Sequence, residues 1–73
     1  MKLPVISGVK LVKVLAKFGF KVDHQTGSHI ILRLEKYPFT RLTVPKHKAI
    51  RTGTLLAILR QAGIEREKFD KAV

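Results

Sequence analysis

The chain contains no cysteine. A disulfide framework is therefore excluded, and so is a thiolate zinc site. Acidic residues are nearly as scarce, with five Asp and Glu against 15 Lys and Arg in 73 residues. Asp23 and Glu35 have no second acid within a few residues, so carboxylate pairs and two-metal sites have no material to work with. His24 and His29 lack the helical i,i+4 spacing and the acid companion of a zinc motif. No metal and no cofactor is expected. Long apolar runs are also missing. The longest, Leu55–Leu59, has five residues, against the ~20 that span a bilayer. The start, Met1 to Ile6, is interrupted by Pro4, Ser7, Gly8 and Lys10 before a signal-peptide core could form. The expectation is a cytoplasmic protein with no membrane partner.

Glycine and proline are few as well, five and three, while hydrophobic residues make up 45%. That is the composition of a globular chain and not of a disordered one. At this length the expectation is a single domain over residues 1–73, which buries only about 60% of its unfolded surface. What is abundant is positive charge, a formal +10. The acids Glu65, Glu67 and Asp70 are cancelled locally by Arg66, Lys68 and Lys71, so residues 1–64 carry 12 cations against Asp23 and Glu35. Solubility alone needs roughly 2–8 charges on a small domain. A polyanionic partner is the natural counterpart. Nucleic acid leads, followed by an acidic protein and then an anionic membrane surface.

Hydrophobic periodicity divides the chain into elements. Ser7 suits an N-cap for a helix running to about Phe18, with Gly19 as its stop. Lys10, Lys13 and Lys17 share one face of that helix. Phe20 to Gln25 alternates as a strand, with Phe20, Val22 and His24 on the core parity. Thr26-Gly27-Ser28 is a turn, and His29 to Leu34 a second strand with Ile30, Leu32 and Leu34 inward. A loop over Glu35–Pro38 leads to a third strand, Phe39 to Val44, ended by Pro45. After the basic connector Lys46–Arg51, a helix begins near Thr52 and buries Leu55, Leu56, Ile58, Leu59 and Ala62. Gly63-Ile64 closes it, and Glu65–Ala72 adds a short helical turn with Phe69 packed back. The order is α-β-β-β-α, with two helices on one face of an antiparallel meander. The other face is open and carries Lys21, His29, Arg33, Arg41 and Thr43.

Few residues here can perform chemistry. With no cysteine and no grouped acids, histidine acid–base catalysis is what remains for an enzyme. An RNA phosphodiester carries its own nucleophile, the 2′-OH, so cleavage needs a base, positive charge and in-line geometry. Histidine titrates near pH 6.5 and suits the base. His29 follows Gly27-Ser28 at a turn and projects onto the basic face. Ser28 and the turn's backbone N–H groups could hold a phosphate oxygen, and nearby cations could stabilise the developing charge. Each residue also has an ordinary structural reading. A histidine at a strand start commonly serves a turn, His24 reads as half-buried, and His47 in the connector suits RNA or acidic-partner binding.

The motifs L-P-V-I-S-G, K-F-G-F, G-S-H-I-I-L, L-T-V-P-K-H-K and T-G-T-L-L-A-I-L-R-Q-A-G-I, in that order, resemble the HicA (YcfA-like) mRNA interferase toxins. The resemblance covers Lys2 to Phe69. It implies a double-stranded-RNA-binding-domain-like α-β-β-β-α fold and a type II toxin that cleaves mRNA without the ribosome or a metal. It also implies a HicB-like antitoxin that covers the active face. The family's catalytic histidine falls on His29, its turn glycine on Gly27, and its P-x-H on Pro45 and His47. The chain departs from the family pattern at Glu35–Thr40, which is bulkier than the usual short Gly-containing turn.

The resulting expectation is an endoribonuclease in which His29 takes the 2′-OH proton, leaving a 2′,3′-cyclic phosphate and a 5′-OH. The general acid is either water or His47. Lys10, Lys13, Arg33, Arg41, Lys46 and Lys48 hold single-stranded or locally opened mRNA, together with Gly27, Ser28 and His47. The alternatives are a non-catalytic RNA-binding module of the same fold and an adaptor for an acidic protein.

Overall fold

A computed structural model describes residues 3–73. Met1 and Lys2, where the expected domain and the family resemblance begin, lie outside the described residues. The order is α1 (Gly8–Ala16), β1 (Phe20–Gln25), β2 (His29–Leu34), β3 (Arg41–Pro45), α2 (Thr52–Ala62) and α3 (Arg66–Ala72). The α+β arrangement expected from periodicity is the one found, with an antiparallel sheet in the order β1-β2-β3.

Alternation sorts the sheet into two faces. Ile30 and Leu32 of β2 and Leu42 and Val44 of β3 are buried beneath the helices. They meet Leu11, Val14 and Leu15 of α1 and Leu55, Ile58 and Leu59 of α2 in one cluster. Phe69 of α3 is fully buried in the same cluster and anchors this short helix to the core. Ser7 caps α1 as expected, its Oγ accepting from Lys10 N at 3.1 Å. Gly63 ends α2 at φ +71°, a backbone region that L residues with a Cβ avoid. Ile64 N–H then donates to Leu59 O at 3.0 Å, the 6→1 bond that ties off the helix.

Several local expectations are corrected. Helix α1 ends at Ala16 and not near Phe18, because Lys17 and Phe18 turn toward Gly19. Strand β3 begins at Arg41 and not at Phe39, since Phe39 takes φ +57° and its N–H closes a turn onto Lys36 O at 2.8 Å. Pro45 is the last residue of β3 and pairs with His29. Val22 and Leu56, expected in the core, are 47% and 38% exposed. Val22 lies on an edge strand with no neighbour beyond it. His24 is exposed and not half-buried. A bulge between Val22 and His24 inserts Asp23 into β1, and pairing then resumes with His24 opposite Ile31. One extra residue reverses the parity of everything after it. His24 therefore joins the open face.

Candidate active site

The site begins with the hairpin that joins β1 to β2. Thr26 N–H donates to His29 O at 2.9 Å, which closes the turn through Gly27 and Ser28. Beyond the turn, Lys46 N–H donates to Ser28 O at 2.8 Å, so the connector after β3 runs alongside the start of β2. The connector is pinned on its other side by Gly8 N–H to His47 O at 2.9 Å and Ile50 N–H to Ile6 O at 2.9 Å. Gly8 is required for that approach. A Cβ there would overlap the Pro45 carbonyl oxygen and stand 3.1 Å from Pro45 C and 3.2 Å from Lys46 Cα.

These bonds bring His29 and His47 to one cleft of about 460 Å³, lined also by Thr43, Pro45, Ala49, Arg51 and Thr54. His29 is exposed, and its Nδ1 lies 3.0 Å from Ser28 Oγ. When Nδ1–H donates to that hydroxyl, the lone pair is on Nε2, the atom left free for a substrate. Helix α2 presents its N-terminus to the cleft. No side chain caps it and no acid sits in its first turn, so its positive end is uncompensated. Arg51 and Thr54 belong to that end. In the sequence Arg51 stands only at the end of a basic connector, because its place in the cleft depends on the tertiary path of that connector.

The other expected RNA-contacting residues are distributed over three surfaces. Arg33 and Arg41 are opposite each other on the open face, and Lys21 is opposite Arg33, so three cations form a row across the sheet. That row is partly countered. Lys21 Nζ pairs with Glu35 at 3.2 Å, and Asp23 adds a second negative charge on β1. The Asp23 carboxyl is held below its ordinary value, first by its hydrogen bond with His24 and then by the charges of Arg33, His24 and Arg41. His24 Nδ1 lies 2.9 Å from Asp23 Oδ2, a second oriented imidazole on this face. Lys10 and Lys13 do not join the cleft. With Lys17 they line a groove of about 540 Å³ between α1 and the end of α3, where Lys17 Nζ donates to Ala72 O at 2.8 Å. Lys46 lines a third groove with Lys13, and Lys48 is exposed beside the cleft without lining it. Gly27 has open space around it. Among the described residues no three His, Asp or Glu side chains gather to hold a metal ion, and no helix is long and apolar enough to cross a membrane.

The structure is thus a small α+β domain with an open basic sheet face and two histidines lining one cleft. Residues 8–64 match the family described as HicA toxin of bacterial toxin-antitoxin. The chain therefore belongs to the HicA toxin family, whose members pair with antitoxins. Comparison with curated proteins and with solved structures returns no match.

Proposed function

We propose that this toxin is an endoribonuclease that cleaves single-stranded or locally opened mRNA by transphosphorylation, with no metal taking part. The observation that carries the reading is the convergence of His29 and His47 on one cleft beside Arg51 and the α2 N-terminus. His29 Nε2 removes the 2′-OH proton, and the 2′-oxygen attacks phosphorus. The bond from phosphorus to the 5′-oxygen breaks, and His47 donates the proton that the leaving oxygen needs. The products are a 2′,3′-cyclic phosphate and a 5′-OH end. Arg51 and the free N–H groups of α2 stabilise the charge that builds on the non-bridging oxygens. Ser28 keeps His29 in the required tautomer. A HicB-like antitoxin is the partner that covers the active face, and the open row of Lys21, Arg33 and Arg41 suits an acidic surface as well as RNA.

The test is incubation of the purified chain with labelled mRNA in EDTA, alongside His29→Ala, His47→Ala and His24→Ala. The first two substitutions are expected to lower cleavage by about 10²–10⁴-fold each while RNA binding persists. His24→Ala is expected to cleave normally. Binding without any cleavage by the folded parent returns the protein to the RNA-binding module. Cleavage that survives in His29→Ala and stops in His24→Ala moves the chemistry to the Asp23–His24 pair.

A further inference from the structure

We infer that Tyr37 and Phe39, at the tip of the β2–β3 hairpin, form a platform on which bases of the RNA strand stack. This rests on the nuclease reading above and extends it to a base-reading subsite away from the cleft. The chain has five aromatic residues, four Phe and one Tyr. Phe20 and Phe69 are buried, yet Tyr37 and Phe39 are 86% and 54% exposed. Single exposed apolar residues are common and need no account. These two are organised. Their rings meet edge to face, with centroids 6.3 Å apart at 86°. Phe39 holds φ +57°, a conformation rare for a bulky residue, and its N–H bond to Lys36 O fixes the turn. Strain of this kind is characteristic of functional positions. A hydrophobic ring held on display in a strained turn contributes nothing to the core of a chain this small.

Position supplies the ligand. His29 opens β2 and the hairpin follows its end, so about 20 Å of strand separates the cleft from the rings. Between them lies the row of Lys21, Arg33 and Arg41, and the two arginines form no ion pair among the described residues. Lys36 and Arg41 flank the rings in sequence. Cations that follow a backbone, ending at exposed aromatic rings, are the pattern by which single strands are held. A stacked strand at about 3.4 Å per nucleotide covers that distance with about six nucleotides, and an extended one with fewer. The platform acts on bases several positions from the scissile phosphate. It binds through ring faces, so it favours unpaired RNA over duplex.

Tyr37 is the sole tyrosine and the chain has no tryptophan, so its emission reports this subsite alone. The experiment titrates the full wild-type chain with a single-stranded 2′-O-methyl oligoribonucleotide, which has no free 2′-OH to attack. Parallel titrations use an abasic oligonucleotide of equal length and inorganic polyphosphate. Tyr37 emission is expected to be quenched by the base-bearing strand and by neither control. Tyr37→Ala with Phe39→Ala is expected to weaken the base-bearing strand about fivefold or more, and to leave the abasic strand unchanged. Both side chains are exposed, and an unchanged far-ultraviolet dichroism spectrum confirms that the variant is folded. Unchanged Tyr37 emission on a strand that binds, or equal weakening of both strands, overturns the platform while cleavage in EDTA still stands. A response to the antitoxin but not to RNA overturns it too. No binding of any strand by the folded chain overturns the nuclease reading and the platform together.

Discussion

Replacing Gly8 by alanine separates local helix chemistry from the tertiary contact that builds the cleft. Position 8 begins α1, where alanine is intrinsically better than glycine by up to about 1 kcal/mol. The added methyl, however, meets backbone on the connector: it overlaps the Pro45 oxygen and lies close to Pro45 C and Lys46 Cα. Backbone cannot swing aside as a flexible side chain does, and overpacking of this kind costs about 1–3 kcal/mol. Displacing the connector also strains the bond from Gly8 N–H to His47 O, worth about 0.5–1.5 kcal/mol. The net expectation is a loss of about 1–3 kcal/mol, or a fall in Tm of about 5–20 °C for a domain of this size. Gly53 provides the control, since it also lies in the first turn of a helix and a Cβ there meets nothing within 4 Å. Gly53→Ala is expected to leave Tm unchanged or raise it by a few degrees, because only the helix term remains. Thermal unfolding followed by circular dichroism reads both. Equal Tm values for the two variants would refute the close approach, and with it the account of how His47 comes to line the cleft with His29.

Ser28→Ala removes the partner of His29 Nδ1 at 3.0 Å. Single-turnover cleavage is expected to slow about 2–10-fold with RNA affinity retained, and an unchanged rate would show that the hydroxyl does not orient the ring. Asp23 makes a pH prediction. Its carboxyl lies below its ordinary value of 3.8, chiefly through the hydrogen bond with His24. A depressed carboxylate stabilises the folded chain above the unfolded value, and the contribution is lost as pH falls through the lower folded value. Tm should therefore drop on acidification below about pH 4, and Asp23→Asn should flatten that limb in calorimetric scans. Parallel profiles for parent and variant would sink the linkage. Phe69→Ala empties a fully buried site and is expected to cost about 3–5 kcal/mol, a large part of the ~5–15 kcal/mol typical of a domain. A urea midpoint close to the parent's would mean that α3 is not part of the core.

The elements legible in the sequence are those whose burial is local and periodic. Strand β2 and helix α2 emerge from alternation and from the Leu55, Ile58 and Leu59 stripe, and both begin where the pattern places them. His29 at the head of β2 was legible for the same reason, through Gly27-Ser28 and strand parity. Parity misled where the backbone departs from it. The bulge at Asp23 carries His24 to the opposite face, and nothing in F-K-V-D-H-Q announces an extra residue. The turn through Tyr37, Pro38 and Phe39 delays β3, because Phe39 looks like a strand residue until its φ is known. The meeting of His29, His47 and Arg51 was not legible, since it depends on contacts between residues 6–8 and 47–50 that no local pattern encodes. Lys10 and Lys13 look like partners of the open-face arginines in a count of charges, yet they lie on α1, across the sheet.

The pinning of the connector to the chain's beginning also fixes when the cleft can exist. Both hairpins of the meander pair neighbouring segments, which form quickly. Gly8 and His47 are about forty residues apart, and Lys17 reaches Ala72 across 55. Loop-closure entropy places such contacts late in folding. A chain that ends at Leu34 contains Ser28 and His29 but has neither His47 nor α2 to face them. The catalytic arrangement proposed for this toxin therefore needs the chain from Ile6 to α2, and shorter fragments carry the histidine without the cleft that would make it dangerous.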